Sequence, residues 1–189
     1  YSSPDLYHWQ YDGELCSGEI DETGIMWECP NLFPLNHEHM LIFSPIPLDR
    51  VVCMIGHYAD KRFTRRGLYD VDASHIFYAP QTLLTPDGRR IMWGWLREGR
   101  SRTAQIEAGW SGVMSLPREI GLDAKGRPTW HIAEEMAMLR QQSLVNESLA
   151  LPAGTRRELA KDKQLELRLQ IDNQNLASPK KPDFYLLLK

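Results

Sequence analysis

Residues 24–31 read GIMWECPN and set an ionisable carboxylate, Glu28, between a tryptophan and a cysteine in an otherwise apolar run. An isolated charge buried in such a run costs on the order of several kcal/mol, so Glu28 is paired, placed at a strand rim, or used. The DETG turn (21–24) before it and Pro30 after it put this carboxylate where a strand meets a loop. Apolar neighbours disfavour the charged form of a carboxylate, which suits one to work as a general acid. Glu28 is nonetheless one of 25 acidic residues, and composition alone favours a strand-end carboxylate bonded to a nearby amide or arginine.

Aromatic density shifts that balance. Trp9, Trp27, Tyr58, Phe77, Tyr78, Trp93, Trp95 and Trp110 all fall in the first 110 residues. Rings interleaved with scattered polar groups are what a sugar-binding cleft presents to the apolar face of a pyranose or furanose, although most of these rings are expected to fill core. Other polar clusters carry less. His37 and His39 of NHEH (36–39) alternate faces on a strand and lack a third convergent ligand, so a solvated turn is expected there rather than a metal site. The basic run KRFTRR (61–66) reads as an exposed loop. Cys16, Cys29 and Cys53 match neither a disulfide framework nor a zinc spacing and are expected as reduced, mostly buried thiols.

These residues need elements to hold them, and the pattern along the chain is that of strands. HMLIFSPIP (39–47), RVVCMIGHY (50–58), IFYAPQTLL (76–84) and RRIMWGWL (89–96) are strand-length and rich in aromatic and β-branched residues. The last two flank TPDGR (85–89), where Pro86, Asp87 and Gly88 predict a hairpin turn. A second hairpin is expected from GVMSLPREIGL through DAKGR to PTWHI (112–132). AEEMAMLRQQS (133–143) is the only stretch read as helical. Further on, KQLELRLQID (163–172) alternates Leu165, Leu167, Leu169 and Ile171 with polar residues, as in a strand with one wet face, and PDFYLLLK (182–189) reads as its partner.

With 189 residues, 42% apolar and 25% charged residues and a net charge of -3, the chain has an ordinary globular composition and no basic excess. Neither nucleic acid nor an anionic membrane surface is expected as a partner. No run approaches the roughly 20 apolar residues of a membrane helix. The start, YSSPDLYHW without Met, leaves the compartment unreadable.

MWECPNLFPL (26–35), FYAPQTLLTPDGRRIMWGWL (77–96) and GWSGVMSLPRE (109–119), in this order, resemble glycoside hydrolase family 32, the β-fructofuranosidases; YSSPDLYHWQYDGEL (1–15) also looks like their segment before the Glu-Cys motif. The resemblance covers about residues 1–140. It implies an all-β chain, part of a five-bladed β-propeller followed by the first strands of a β-sandwich. The boundaries expected are the latter part of a propeller over 1–140, a connector over 141–160 and an incomplete sandwich over 161–189. It further implies retaining hydrolysis of terminal β-D-fructofuranosyl bonds in sucrose or a β-fructan, with Glu28 as general acid/base. Tyr78 and Trp95 match positions that shape the fructose site, and Cys29, Ser44 and Asp72 are further substrate-site candidates. His75 is a candidate for the cleft wall. No metal or organic cofactor is required.

The departures from the family pattern bound this reading. Such a reaction needs two carboxylates roughly 5–5.5 Å apart, yet the family's Asn-Asp-Pro-Asn-Gly nucleophile motif and its Arg-Asp-Pro motif are both missing from the sequence. Asp5 of SSPDL does not replace them. DASHIFYA (72–79) keeps Asp72 but carries Ser74 and Ile76 where the family commonly has Gly and Asp, and Asn31 stands where Asp is common. The chain is therefore expected to be inactive alone, and open propeller edges are expected to drive self-association. A non-catalytic carbohydrate-binding or degenerate propeller module fits the missing nucleophile equally well.

Overall fold

The computed structural model describes residues 1–150, 154–162 and 165–170. Two compact units emerge, Tyr1–Met136 and Ala137–Lys189.

The first unit is built from antiparallel strands. Its first sheet has the order β1 (Met26–Leu35), β2 (Glu38–Ile46), β3 (Val52–Ala59), β4 (Arg62–Asp70). The second runs β5 (Phe77–Leu84), β6 (Arg90–Leu96), β8 (Arg118–Leu122), β9 (Pro128–Ile132), with the two-residue β7 (Val113–Met114) pairing the far end of β6. The first sheet is a meander of sequence neighbours, the second is one except that β6 pairs with both β7 and β8, and no closed sheet forms among the described residues.

Successive residues on β2 and β3 point to opposite sides of the first sheet, and both sides are covered. Met40, Ile42, Cys53 and Ile55 join Phe77, Met92 and Ile120 of the second sheet in one core. Leu41, Phe43, Val52 and Met54 form another with Phe63, against which Leu15 and Cys16 pack. A strand buried on both faces reads as a continuous apolar run, and that is why LIF and VVCMI carry no polar alternation. The hairpin over 85–89 forms as its turn residues predict, with Gly88 at φ 89°. The β8–β9 hairpin forms around DAKGR in the same way.

Four expectations are corrected. The basic run at 61–66 is the start of edge strand β4, because buried Phe63 anchors it while Arg62, Arg65 and Arg66 face outward. A helix that the sequence reading passed over, α2 (Arg102–Ala108), is capped by the Ser101 side chain, which accepts from the Ala104 amide, and ends at left-handed Gly109. A single helical turn, α1 (Ile20–Thr23), stands where a simple turn was expected. AEEMAMLRQQS forms a 3-10 helix, Glu134–Leu139, and no α-helix.

In the second unit, residues 165–170 carry no strand, and Leu165, Leu167 and Leu169 are exposed. The remainder of the expected strand pair, including 182–189, lies outside the described residues. Arg140 and Arg168 both pair with Glu166 there. No helix among the described residues is long and apolar enough to cross a membrane.

Candidate functional site

Glu28 sits at a break in the β1–β2 ladder. Glu28 lies opposite Ser44 and Asn31 opposite Ile42, so Cys29 and Pro30 together face the single residue Phe43. This is a β-bulge, a device that bends a strand and re-aims its side chains. Proline suits the position because it has no N–H to lose from the ladder, and Cys29 adopts φ 50°.

β5 carries the same break. Tyr78 lies opposite Trp95 and Gln81 opposite Trp93, so Ala79 and Pro80 face the single residue Gly94. Ala79 adopts φ 47°. WECPN and FYAPQ thus occupy equivalent places on the first strands of the two sheets.

The two bulges meet through their side chains. The Tyr78 hydroxyl donates to Glu28 Oε2. Burial, together with the bond and charge of Glu28, pushes the Tyr78 phenol up to about 12, so it stays a donor across the neutral range. Trp95 stands edge-on to Tyr78 at 6.5 Å between ring centroids. The Arg97 guanidinium lies 4.8 Å over the Tyr78 ring and is itself held by Asp49 and by the His75 carbonyl. Tyr78 is therefore packed from its face and its edge while its hydroxyl reaches the carboxylate.

Two further bonds tie the sheets beside this pair. The Ala79 amide donates to Ser44 Oγ at 3.1 Å, and Thr82 Oγ1 donates to Asn31 Oδ1 at 2.5 Å.

Of the residues singled out from sequence, the structure groups Glu28, Tyr78, Trp95 and Ser44. Glu28 is half-buried, Trp95 is 46% exposed and Cys29 is exposed. Ser44 is 0% exposed, and its hydroxyl accepts from the Ala79 amide. Asp72 is held by partners of its own. Partial burial works against its charge, but the Ser74 amide and hydroxyl and the Arg118 guanidinium hold its carboxyl below the usual carboxylate range. Both its oxygens are occupied by those partners, and no hydrogen bond joins it to Glu28 or Tyr78. His75 contributes a backbone carbonyl and leaves its ring exposed.

Asn31 proves to be a link between sheets. Arg97, Asp49, Thr82 and Ala79 escaped the sequence reading, and only the proline of FYAPQ, repeating that of WECPN, signalled the second bulge. The three thiols are free as expected, but only Cys53 is buried, and burial pushes it up to about 12.

Two cavities of about 550 Å³ each lie elsewhere, one between β4 and β9 beside Tyr69 and Trp130, the other around Asp49, Asp70 and Asp72. Neither is lined by Glu28 or Tyr78. Among the described residues no group of three or more His, Cys, Asp or Glu could hold a metal ion. The Glu28–Tyr78 pair itself offers a carboxylate with one oxygen bonded by a phenol, an arrangement able to give and retake a proton.

The family model "Glycosyl hydrolases family 32 N-terminal domain" matches residues 1–130. A sucrose-6-phosphate hydrolase of Salmonella typhimurium is 39% identical over 138 residues, covering 64% of this chain and 30% of that protein. A raffinose invertase of Escherichia coli is 30% identical over 154 residues, 75% of this chain and 32% of its own. Among solved structures, a β-fructofuranosidase from Bombyx mori superposes with a TM-score of 0.66 at 30% identity, over 76% of this chain and 33% of that one. A variant of fructan 1-exohydrolase IIa from Cichorium intybus, in complex with 1-kestose, gives 0.65 at 27% identity, over 74% and 30%. The chain thus spans about a third of the length of the relatives it matches.

Proposed function

This chain belongs to glycosyl hydrolase family 32, and on that premise we propose that Glu28 is the general acid/base of a fructosidase. The longer protein to which this segment corresponds would hydrolyse terminal β-D-fructofuranosyl bonds of sucrose or a β-fructan with retention. The observation that carries the reading is the Tyr78 hydroxyl bonded to Glu28 where the two bulges meet. Tyr78 holds Oε2, and Oε1 is then the oxygen that protonates the departing sugar and later takes a proton from water. A second carboxylate, supplied from outside these residues, attacks the anomeric carbon. Trp95, at the open edge of Tyr78, offers a ring to the sugar; exposed Cys29 lies beside Glu28 in sequence and is a further wall residue.

The two meanders are successive blades of a propeller in this proposal, with β1 and β5 nearest its axis. The shared bulge on the first strand of each sheet supports that reading. The divisions at 1–140, 141–160 and 161–189 belong to the same proposal, with a sandwich beginning in the last of them.

Two measurements test it. Glu28→Gln in the longer protein should lower kcat by roughly 10²- to 10⁴-fold, and unchanged turnover would remove Glu28 from the role. The purified 189-residue chain should release no fructose from sucrose or inulin; turnover free of host invertase would overturn the need for an external nucleophile. The same chain exposes Ile25, Met26, Trp110 and Met114 and should self-associate. A clean monomer by light scattering would refute that.

A further inference from the structure

The bond between Ala79 and Ser44 does more than fasten two sheets. Gly94, the residue opposite the bulge, turns both its backbone groups to Ser115 and offers β5 no partner there. The Ala79 amide, in the bulge at φ 47°, points away from β6 and donates to Ser44 Oγ on β2. The acceptor it meets, Ser44 Oγ, is wholly buried and belongs to the residue directly opposite Glu28 in the β1–β2 register. Ala79 in turn follows Tyr78, whose hydroxyl returns to Glu28. Glu28, Ser44, Ala79 and Tyr78 therefore close a ring of one strand pairing, one cross-sheet bond, one peptide bond and one side-chain bond.

Such a ring leaves little slack. The pairing holds the Cα atoms of Glu28 and Ser44 at about 4.5–5.5 Å. The Ala79–Ser44 bond is partly buried, where an N–H that loses its acceptor is costly. On the other side of the bulge, Thr82 bonded to Asn31 limits rotation of β5 about this latch.

We propose that Ser44 is a positioning residue: its hydroxyl, by holding the Ala79 amide across the sheet boundary, sets the Tyr78 phenol on the Glu28 carboxylate. It does this from behind the site and makes no contact with substrate. The catalytic consequence rests on the reading of Glu28 as acid/base, whereas the positioning itself does not.

The test therefore has a structural arm and a kinetic arm. On the 189-residue chain, tyrosinate absorbance of Ser44→Ala, with Ser44→Ala/Tyr78→Phe as its blank, isolates the Tyr78 titration. Loss of the latch should bring it from about 12 back toward its ordinary value of about 10. If Tyr78 still titrates near 12 while only the melting temperature falls, Ser44 merely fills space and the proposal is overturned. On the unmodified chain, the Ala79 amide should exchange hydrogen as slowly as the ladder amides around Phe43; exchange at the rate of an open loop would also overturn it, whatever the variant does.

In the longer protein, Ser44→Ala should lower kcat roughly tenfold with KM little changed. It should have no further effect once Tyr78→Phe is present, and independent, multiplying effects would refute the coupling. Should Glu28→Gln retain full activity, the functional reading fails while the titration and exchange arms still decide the latch.

Discussion

The two sheets use one backbone device to different ends. On β1 the bulge carries a carboxylate and faces Phe43; on β5 it carries a phenol and faces Gly94. Trp27, the residue before Glu28, stacks on Phe43 at 4.1 Å with a 16° interplanar angle. Phe77, the residue before Tyr78, instead lies over bare backbone, since a Cβ at Gly94 would come within 2.4 Å of its ring. In the first sheet two rings share the space; in the second a missing side chain lets one ring sink into the core between the sheets. Bulge, proline and positive φ recur, whereas the side chain ahead of them is free to differ, and the pair Glu28–Tyr78 arises because the two differ in a complementary way.

The sharpest way to break this comparison is to empty one side of it. Phe43→Ala removes a fully buried ring from beneath Trp27 and should cost about 3–5 kcal/mol of stability. Urea unfolding showing less than about 1 kcal/mol would mean that the stacked pair is not what supports the first bulge. Tyr78→Phe keeps the ring and removes only the donor. A hydrogen bond to a charged group is worth about 1.5–3 kcal/mol, so kcat of the longer protein should fall roughly 10- to 150-fold. Loss far below that of Glu28→Gln would confirm that the second bulge assists and the first one reacts; equal losses would erase the distinction.

Gly94→Ala asks whether the second sheet tolerates what the first contains. The added methyl meets the Phe77 ring and should destabilise by about 1–3 kcal/mol. A neutral result in thermal unfolding would show that Phe77 has room to move. The smallest effect is one of alkaline pH. The folded-state value of Tyr78 is raised to about 12, so its contribution to stability is complete below its unfolded value of about 10 and is lost as pH rises through about 12. Stability measured across that window should decline in the parent chain, and its Tyr78-dependent part should vanish in Tyr78→Phe. An identical decline in both would assign it to other groups, of which buried Cys53, also raised to about 12, is one.

Strand identity was legible because it depends on local pattern. The apolar runs on β2 and β3, the TPDGR turn and the DAKGR turn all specify their conformations within a few residues. Where local pattern failed, the cause can be named. The strand from Arg62 hides behind arginines because only Phe63 of its first half is buried. Helix α2 had its Ser101 cap and its Gly109 terminator in plain sight, but it follows a strand-rich stretch without apolar periodicity. The alternation at 165–170, by contrast, promised a strand that is absent there, since a period of two needs a partner to become a ladder.

By itself the sequence determined that Glu28 is an anomalous carboxylate, that Tyr78 and Trp95 lie in a family motif, and that the chain is built of short strands. Spacing in sequence could say nothing about distance across sheets. That Glu28 and Tyr78, 50 residues apart, meet through one hydrogen bond was decided by tertiary structure alone. So were the burial of Ser44 against the Ala79 amide and the engagement of Asp72 with Ser74 and Arg118. The physical reason is common to all three: a bulge re-aims a side chain by local geometry, but what it then meets depends on the neighbouring sheet, whose register is set by packing of the core between them.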